Sequence, residues 1–199
     1  QGSQVYGVTF PLLTTSDGKK FGKTEEGAVW LSSEKLSPYH FYQYLFRVSD
    51  ADVIKLLKML TFVEMEEIRK LEEEMKSVSY QPNTAQKRLA KEVTLLVHGK
   101  EGLEAALKAT EAAKPGSQGA LNAEILESIA KDIPSKEMEK EAVLGATIVE
   151  LLVKSGAQAS KGQARKLVQN GGCYLNNEKI SDEKRIIEES DLIEKRLLL

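Results

Sequence analysis

The residues most suited to chemistry lie in one glycine-punctuated loop. Residues 17–24 read DGKKFGKT and place three lysines and a hydroxyl within eight residues. Ammonium groups on a mobile loop can meet the negative charge that spreads over phosphate oxygens as a polyphosphate is cleaved, and glycines let such a loop change shape. A solvated turn between two strands explains the same pattern, so the loop by itself leaves both interpretations open.

The spacing argues against the nucleotide-binding P-loop. That motif needs a glycine five positions before the glycine of its Gly-Lys-Thr, and Asp17 stands there, with Gly18 one residue too late. A P-loop also opens directly into a helix, whereas Gly27 and an apolar stretch at 28–31 follow this loop. A P-loop kinase or GTPase is therefore not expected.

A second set of candidate residues is basic. Lys161, Arg165 and Lys166 fall on or near one face of a helix that the pair Ser160 and Gln163 is placed to cap. Cations on one helical face can neutralise RNA phosphates, although an ordinary solvated surface has the same composition. The net charge of −2 means that any nucleic-acid surface must be a local patch.

Other reactive side chains are few. The single cysteine, Cys173, and the two histidines, His40 and His98, form no motif, which excludes an internal disulfide framework and a cysteine-cluster zinc site. We interpret all three as structural and predict no protein-bound metal. No segment approaches the roughly 18 continuous apolar residues of a membrane span, so we expect a soluble protein with no membrane partner.

The elements around the loop are predicted from the apolar pattern. Residues 4–15 form a β-leaning run that ends at a turn at 16–18. A helix with one apolar side is predicted from Ser37-Pro38 onward. Tyrosines concentrate in this part and are interpreted as core rather than as a ligand site: Tyr6, Tyr39, Tyr42 and Tyr44.

From residue 50 the apolar period becomes helical. Amphipathic helices are predicted at 53–60, 65–75, 84–98, 101–114 and 122–129. Gly99 suits the left-handed turn after a helix end, and Asn122 is placed as a cap. Charged residues 134–145 then favour an exposed linker without regular structure. Beyond it the predicted order is helix, helix, β-hairpin, with Asn176-Asn177 at the hairpin turn.

These stretches resemble, in order, the bacterial-type tyrosine–tRNA ligases, a branch of the class I aminoacyl-tRNA ligases. The sequence KFGKT at 20–24 is similar to the KMSKS signature loop in the form typical of the tyrosyl branch. The flanking matches are GVTFPLL at 7–13, GAVWL at 27–31, SPYHFYQ at 37–43, and AKEVT at 90–94 followed by HG at 98–99. The resemblance covers nearly the whole chain.

The resemblance implies a mostly α fold in three parts. Residues 1–35 would be the end of an α/β catalytic domain with the KMSKS-type loop, and residues 36–133 a helical anticodon-binding domain. After the linker 134–145, residues 146–199 would be a small α+β RNA-binding domain like that of ribosomal small-subunit protein four. Because the family's domain normally continues with a further strand, we expect this last domain to be truncated.

The implied activity is ATP-dependent activation of tyrosine and transfer of the tyrosyl group to tRNA-Tyr. In the family, loop residues that match Lys20, Gly22, Lys23 and Thr24 contact ATP and pyrophosphate, and we assign catalytic roles to the two lysines and the threonine. Magnesium is expected with ATP. The family's HIGH-type motif and tyrosine-specificity residues are absent from this sequence, so we expect a C-terminal portion that is inactive alone.

Partners follow from the same resemblance. Lys161, Arg165 and Lys166 are assigned to RNA binding, with tRNA-Tyr as the partner. The intact enzyme is expected to be a homodimer, in a bacterial cytoplasm, a mitochondrial matrix or a chloroplast stroma. The alternative is a non-catalytic RNA-binding protein built from the same domains. Retention of both loop lysines and the threonine favours the ligase, because an RNA-only module has no use for a pyrophosphate loop.

Overall fold

The computed structural model describes residues 4–9, 11–24, 27–130 and 133–199, and this part of the chain is mostly helical. Its helices are α1 (Pro38–Phe46), α2 (Asp50–Leu60), α3 (Met65–Glu74), α4 (Thr84–Ala112), α5 (Ala123–Ala130), α6 (Lys140–Val143), α7 (Ile148–Lys154) and α8 (Lys161–Gln169). The described residues also form two short antiparallel hairpins, β1 (Lys23–Thr24) with β2 (Gly27–Ala28) and β3 (Tyr174–Leu175) with β4 (Glu178–Lys179), and one 3-10 helix, Glu189–Asp191. No helix in the described ranges is long and apolar enough to cross a membrane.

The chain divides into two compact units. The first unit comprises residues 1–36 and 41–98, and the second comprises residues 37–40 and 99–199. The lysine loop and helices α2 and α3 belong to the first unit. Helices α5 to α8 and the β3–β4 hairpin belong to the second.

The core of the first unit is built from the helical faces that the sequence predicts. It contains the buried residues Phe41, Tyr42, Leu45, Val53, Leu56, Leu57, Ile68, Leu89 and Val93. Gln86 lies among them with 1% exposure, and its Nε2 donates to the main-chain oxygen of Val48 (3.2 Å) and to Asp50 Oδ1 (2.6 Å). The aromatic prediction holds for Tyr42, but it is wrong for Tyr6, which is 81% exposed.

Residues 4–9 and 11–15 do not form the strand that the sequence predicts at 4–15. Within 4–9 and 11–15 only Thr14 makes a β-bridge, an isolated antiparallel one to Lys20, and Phe10 lies outside the described residues. Val5 is 88% exposed and Val8 80%. A strand is stable only when a neighbour accepts and donates its backbone hydrogen bonds and one face is covered, and no described residue does this for 4–9.

The predicted helix break at Gly99 is confirmed. Helical structure is assigned over Thr84–Ala112, but Gly99 inside it has φ 69° and ψ −172°, which are not helical angles. Glycine takes this left-handed φ without the steric cost that a Cβ would impose. Residues 84–98 and 100–112 are therefore two helical segments that meet at a kink.

The predicted order of helix, helix and hairpin in the second unit is also confirmed. Its core contains Ile148, Val149, Leu151, Leu152, Ala164, Val168, Cys173, Leu175 and Ile187. Asn176 (φ 49°) and Asn177 (φ 69°) occupy the hairpin turn, as expected for residues that tolerate positive φ. The prediction that 134–145 lacks regular structure is wrong at α6, where residues 140–143 form one helical turn. A second cluster joins Tyr39 to Ala109, Leu126 and Ile129.

Candidate functional site

The lysine loop folds back on itself as a narrow hairpin. The main-chain N–H of Thr15 donates to the oxygen of Lys19, and that of Phe21 to the oxygen of Leu13, each at 2.9 Å. Gly18, with φ 83°, lies in the turn between the two arms. The loop is thus a defined turn in this structure, and not an extended linker.

A second turn brings the two candidate catalytic lysines together. The N–H of Lys23 donates to the oxygen of Lys20 at 3.4 Å, and Gly22 between them has φ 81°. A four-residue turn with positive φ at its third position requires glycine or asparagine there, and it holds the Cα atoms of its ends within about 7 Å. Lys20 and Lys23 are therefore close to each other because Gly22 is a glycine.

The three lysines of the loop are not equivalent. Lys19 forms an ion pair with Asp17 at 3.2 Å, and Asp17 also accepts a hydrogen bond from the Thr15 hydroxyl. The hydrogen bond from Thr15, followed by that from Lys19, lowers the pKa of the Asp17 carboxyl. Lys20 and Lys23 are exposed, and neither has an ion-pair partner within the described ranges.

The two other predicted loop residues are Gly22 and Thr24, and their predicted contacts with ATP stay predictions. Gly22 is where the turn requires it, as described above. Thr24 lies in β1, paired with Gly27, but its side chain is outside the described part of the structure. Its assignment therefore stays a prediction.

Three residues that sequence reasoning missed hold the loop from helices α1 and α2. Asp52 is 5% exposed, and its Oδ1 accepts from the Ser16 N–H at 2.7 Å. Its Oδ2 accepts from the hydroxyls of Ser16 (3.2 Å) and Ser49 (2.8 Å). Lys55 Nζ donates to the main-chain oxygen of Thr14 at 2.7 Å. Asp52 and Lys55 are three residues apart, so they lie on one face of α2.

Tyr44 is the third of these residues. Its hydroxyl accepts from the Gly22 N–H at 3.0 Å, and its ring centroid lies 5.4 Å from that of Phe21. The sequence interpretation assigned Tyr44 to the core with the other tyrosines. Its side chain is half-buried instead and contacts the loop.

The predicted RNA-binding cations lie on α8 of the second unit. Lys161 Nζ is 3.0 Å from Glu150 Oε1, and Arg165 Nε is 3.5 Å from Glu183 Oε2. Lys166 is exposed and has no ion-pair partner within the described residues. The expected cap of α8 is present, because the hydroxyl of Ser160 accepts from the N–H of Gln163 at 3.3 Å.

The pairing of Lys161 changes the titration of its partner. The hydrogen bond from Lys161, reinforced by those from Thr147, lowers the pKa of Glu150 from 4.5 to about 2. Exposed ion pairs of this kind contribute little to stability because water and salt screen them.

The cysteine and the histidines are packed among other side chains. Cys173 is 2% exposed, and burial raises the pKa of its thiol. His98 packs edge-on against Phe41, with ring centroids 4.9 Å apart, and burial lowers its pKa. Among the described residues no group of three or more His, Cys, Asp or Glu side chains is arranged to hold a metal ion.

Comparison with known families covers both parts of the chain. The family described as tRNA synthetases class I (W and Y) matches residues 1–113. The family described as Tyrosine--tRNA ligase SYY-like C-terminal domain matches residues 124–199. The chain belongs to the tyrosine–tRNA ligase family. The family resemblance inferred from the KFGKT loop and its flanks is confirmed.

Individual relatives agree with this membership. A tyrosine–tRNA ligase of Protochlamydia amoebophila is 60% identical over 194 residues, which are 98% of this chain and 46% of that protein. The chloroplastic/mitochondrial tyrosine–tRNA ligase of Arabidopsis thaliana is 52% identical, over 98% of this chain and 38% of that protein. An Escherichia coli tyrosine–tRNA ligase is 48% identical, over 99% of this chain and 46% of that protein. The chain thus spans less than half the length of these relatives.

A solved structure is similar over a smaller part. It is a C-terminally truncated Coccidioides posadasii mitochondrial tyrosyl-tRNA synthetase, 45% identical, with 51% of this chain and 26% of that chain covered and a TM-score of 0.42.

Proposed function

We propose that this chain supplies the ATP-phosphate loop and the RNA-binding part of a tyrosine–tRNA ligase. The enzyme activates tyrosine with ATP and transfers the tyrosyl group to tRNA-Tyr. The observation that carries the proposal is the Gly22 turn, which keeps the Cα atoms of Lys20 and Lys23 within about 7 Å of each other. Membership of the tyrosine–tRNA ligase family supports the choice of substrates.

The chemistry asked of the two lysines is charge stabilisation. When the tyrosine carboxylate attacks the α-phosphate of ATP, the bond to the bridging oxygen breaks and pyrophosphate leaves with the electron pair. Lys20 and Lys23 would meet this growing charge, and the Thr24 hydroxyl would donate to a phosphate oxygen. Magnesium is expected to arrive with ATP. Loss of one such contact typically lowers the rate of the chemical step about 100- to 1000-fold.

The proposed domain organisation follows the sequence boundaries. Residues 1–35 end the catalytic domain, and residues 36–133 form the anticodon-binding domain. Residues 134–145 link it to a ribosomal-protein-four-like domain at 146–199. The HIGH-type motif and the tyrosine-specificity residues are not in this sequence, so we propose that turnover requires the remaining length of the enzyme, which we expect to act as a homodimer.

Recognition of tRNA is assigned to Lys161, Arg165 and Lys166. All three side chains are exposed on one short helix. The carboxylates of Glu150 and Glu183 that face the first two would be exchanged for RNA phosphates. Each phosphate contact releases condensed counterions, so binding should weaken steeply with salt. A bacterial cytoplasm or an organelle suits the proposed function equally.

The loop assignment is tested with inorganic pyrophosphate and the 199-residue chain. Binding is followed by amide chemical shifts of residues 18–24, in the starting protein and in the variants Lys20→Ala, Lys23→Ala and Lys19→Ala. Lys19 is the matched control because Asp17 already pairs with it. We expect each of the first two variants to weaken binding about tenfold or more, and the third much less. If all three variants weaken binding equally, the loop binds pyrophosphate only as a general cationic surface, and the assignment of Lys20 and Lys23 is wrong.

The RNA assignment is tested by binding to tyrosine tRNA and to an unrelated tRNA across a salt series. The test variant replaces Lys161, Arg165 and Lys166 by alanine. The control variant replaces three exposed lysines that pair with glutamates close by in sequence: Lys70, Lys76 and Lys114. Selective binding that weakens only in the test variant supports the ligase. Unselective binding, together with no response of residues 18–24 to pyrophosphate, favours the non-catalytic RNA-binding alternative.

A further inference from the structure

The hairpin that carries the lysines has little structure of its own. Its arms are joined by one isolated bridge, Thr14 to Lys20, and by few main-chain hydrogen bonds. A lone two-stranded hairpin is marginally stable in water. Contacts with another part of the protein must therefore fix the positions of Lys20 and Lys23.

Helix α2 supplies a buried carboxylate for this purpose. Asp52 receives three hydrogen bonds, two of them from Ser16. A carboxylate that is 5% exposed is costly to bury unless its oxygens are hydrogen-bonded, so the loss of these donors would be unfavourable. Ser16 lies at the start of the turn that joins the arms of the hairpin. The tip of the hairpin is therefore bound to the first turn of α2.

The local sequence predicts a different role for Asp52. Ser49 and Asp52 have the spacing of a capping box, in which the serine side chain accepts a hydrogen bond from the helix backbone. Ser49 makes no such cap hydrogen bond, and its hydroxyl donates to Asp52 instead. Real proteins break a local rule of this kind mostly at functional sites. Here Asp52 accepts hydrogen bonds from Ser49 and from Ser16 of the loop instead.

Lys55 adds a second contact from the same helix face. Its Nζ donates to the main-chain oxygen (2.7 Å) and the hydroxyl (3.3 Å) of Thr14. Thr14 and Ser16 are two residues apart, and both contact the same face of α2. Lys20 is the bridge partner of Thr14. The contact of Lys55 with Thr14 therefore also helps to fix the position of Lys20.

Tyr44 of α1 holds the other end of the loop. Its hydroxyl accepts the N–H of Gly22, the residue whose positive φ joins Lys20 to Lys23, and its ring packs against Phe21. The segment 14–22 is thus held by α2 at residues 14 and 16 and by α1 at Gly22. The two lysine side chains remain exposed beside these contacts.

We infer that Asp52, Tyr44 and Lys55 are positioning residues that hold the lysine loop in place for pyrophosphate. The inference rests on the proposed function, because it takes the ligand of Lys20 and Lys23 to be pyrophosphate. It assigns to α1 and α2, within the proposed anticodon-binding domain, a second task in the activation step. None of the three residues touches the reacting atoms.

The test compares substitutions on the helix side and on the loop side of the contact. Asp52→Asn weakens the acceptor, Ser16→Ala removes one donor without altering α2, and Tyr44→Phe removes the acceptor of the Gly22 N–H but keeps the ring. The matched control is Asp50→Asn, which changes a carboxylate in the same helical turn whose partner is Gln86 and not the loop. All variants are made in the 199-residue chain.

The first readout is amide hydrogen exchange, resolved by residue, with the urea midpoint measured alongside. Asp52→Asn should speed exchange of the Ser16 amide about tenfold, and Tyr44→Phe should do the same for Gly22, while amides of α4 keep their rates. Asp50→Asn should leave both loop amides unchanged. Loop exchange that rises only in proportion to a loss of global stability would overturn the inference.

The second readout is affinity for inorganic pyrophosphate, with affinity for tRNA as the internal reference. Asp52→Asn, Ser16→Ala and Tyr44→Phe should each weaken pyrophosphate binding about three- to tenfold and leave tRNA binding unchanged. If the starting protein binds pyrophosphate and Asp52→Asn binds it equally well, the positioning role is wrong. If the starting protein binds none, the proposed function of the loop fails, and the exchange data still decide whether the contacts hold it.

Discussion

Asn177 donates its side-chain amide to the main-chain oxygen of Ala112 at 2.7 Å, and the contact is buried. Ala112 is the last residue of α4, and its oxygen is one of those that a helix end leaves without an intrahelical partner. The turn between β3 and β4 therefore closes the end of a helix that lies 65 residues earlier in the chain.

Replacement of Asn177 should destabilise the second unit. Asn177→Ala leaves the oxygen of Ala112 buried without its donor, which costs about 1–3 kcal/mol, and it puts alanine at φ 69°, which costs about 1–2 kcal/mol more. Asn177→Gly also removes the hydrogen bond, but glycine adopts this positive φ without strain. The glycine variant should therefore lose less free energy of unfolding than the alanine variant. The measurement is urea unfolding of the three proteins. Equal stability of the alanine and glycine variants would contradict the strain component.

Replacement of Gly22 should affect the ligand and not the fold. A Cβ at Gly22 meets nothing within 4 Å, so the change acts only through φ 81°. Strain of about 1–2 kcal/mol at this position opposes the hydrogen bond that holds Gly22 to Tyr44, and the turn between Lys20 and Lys23 should rearrange.

The expected result for Gly22→Ala is weaker pyrophosphate binding at an unchanged urea midpoint. Gly7→Ala is the matched control, because its Cβ also meets nothing within 4 Å and its φ is not positive. Normal pyrophosphate affinity in Gly22→Ala would mean that the turn does not set the spacing of the lysines.

Local features of the fold were predictable because they depend on neighbours in sequence. The helical period gave α2 to α5 and α8, and Gly99 and Asn177 were recognised from the backbone angles that such residues favour. The strand at 4–15 was not predictable in this way, since a strand depends on a partner that the pattern of one segment does not contain.

The site was predictable only in part, for the same reason. The motif at 20–24 identified the lysines, and Gly22 explains their spacing. The contact between Asp52 and Ser16 joins residues 36 apart, and nothing in the sequence near Asp52 indicates that partner. The pairing of Arg165 with Glu183 is likewise tertiary, so the sequence predicted a basic helix and not its carboxylate partners.

The stability of the first unit should fall in mild acid through His98. Burial lowers the pKa of His98 in the folded protein, so the unfolded chain, with a pKa near 6.5, binds the proton first. The contribution to the free energy of unfolding is therefore complete above about pH 6.5 and decreases as pH falls below it. His98→Phe, which keeps a ring beside Phe41, should flatten urea stability between pH 7 and pH 5. An unchanged slope would exclude His98 as the titrating group.

The titration of Glu150 should report on RNA at α8. In the free protein its pKa is lowered to about 2, chiefly by the hydrogen bond from Lys161, so this contribution to stability is present above the unfolded pKa and is lost as pH falls towards 2. Carboxyl NMR titration should give a higher pKa in Lys161→Met. If Lys161 pairs with a phosphate of bound RNA instead of with Glu150, the pKa of Glu150 should also rise in the unmodified protein. A carboxyl titration that is identical with and without tRNA would place the RNA away from Lys161.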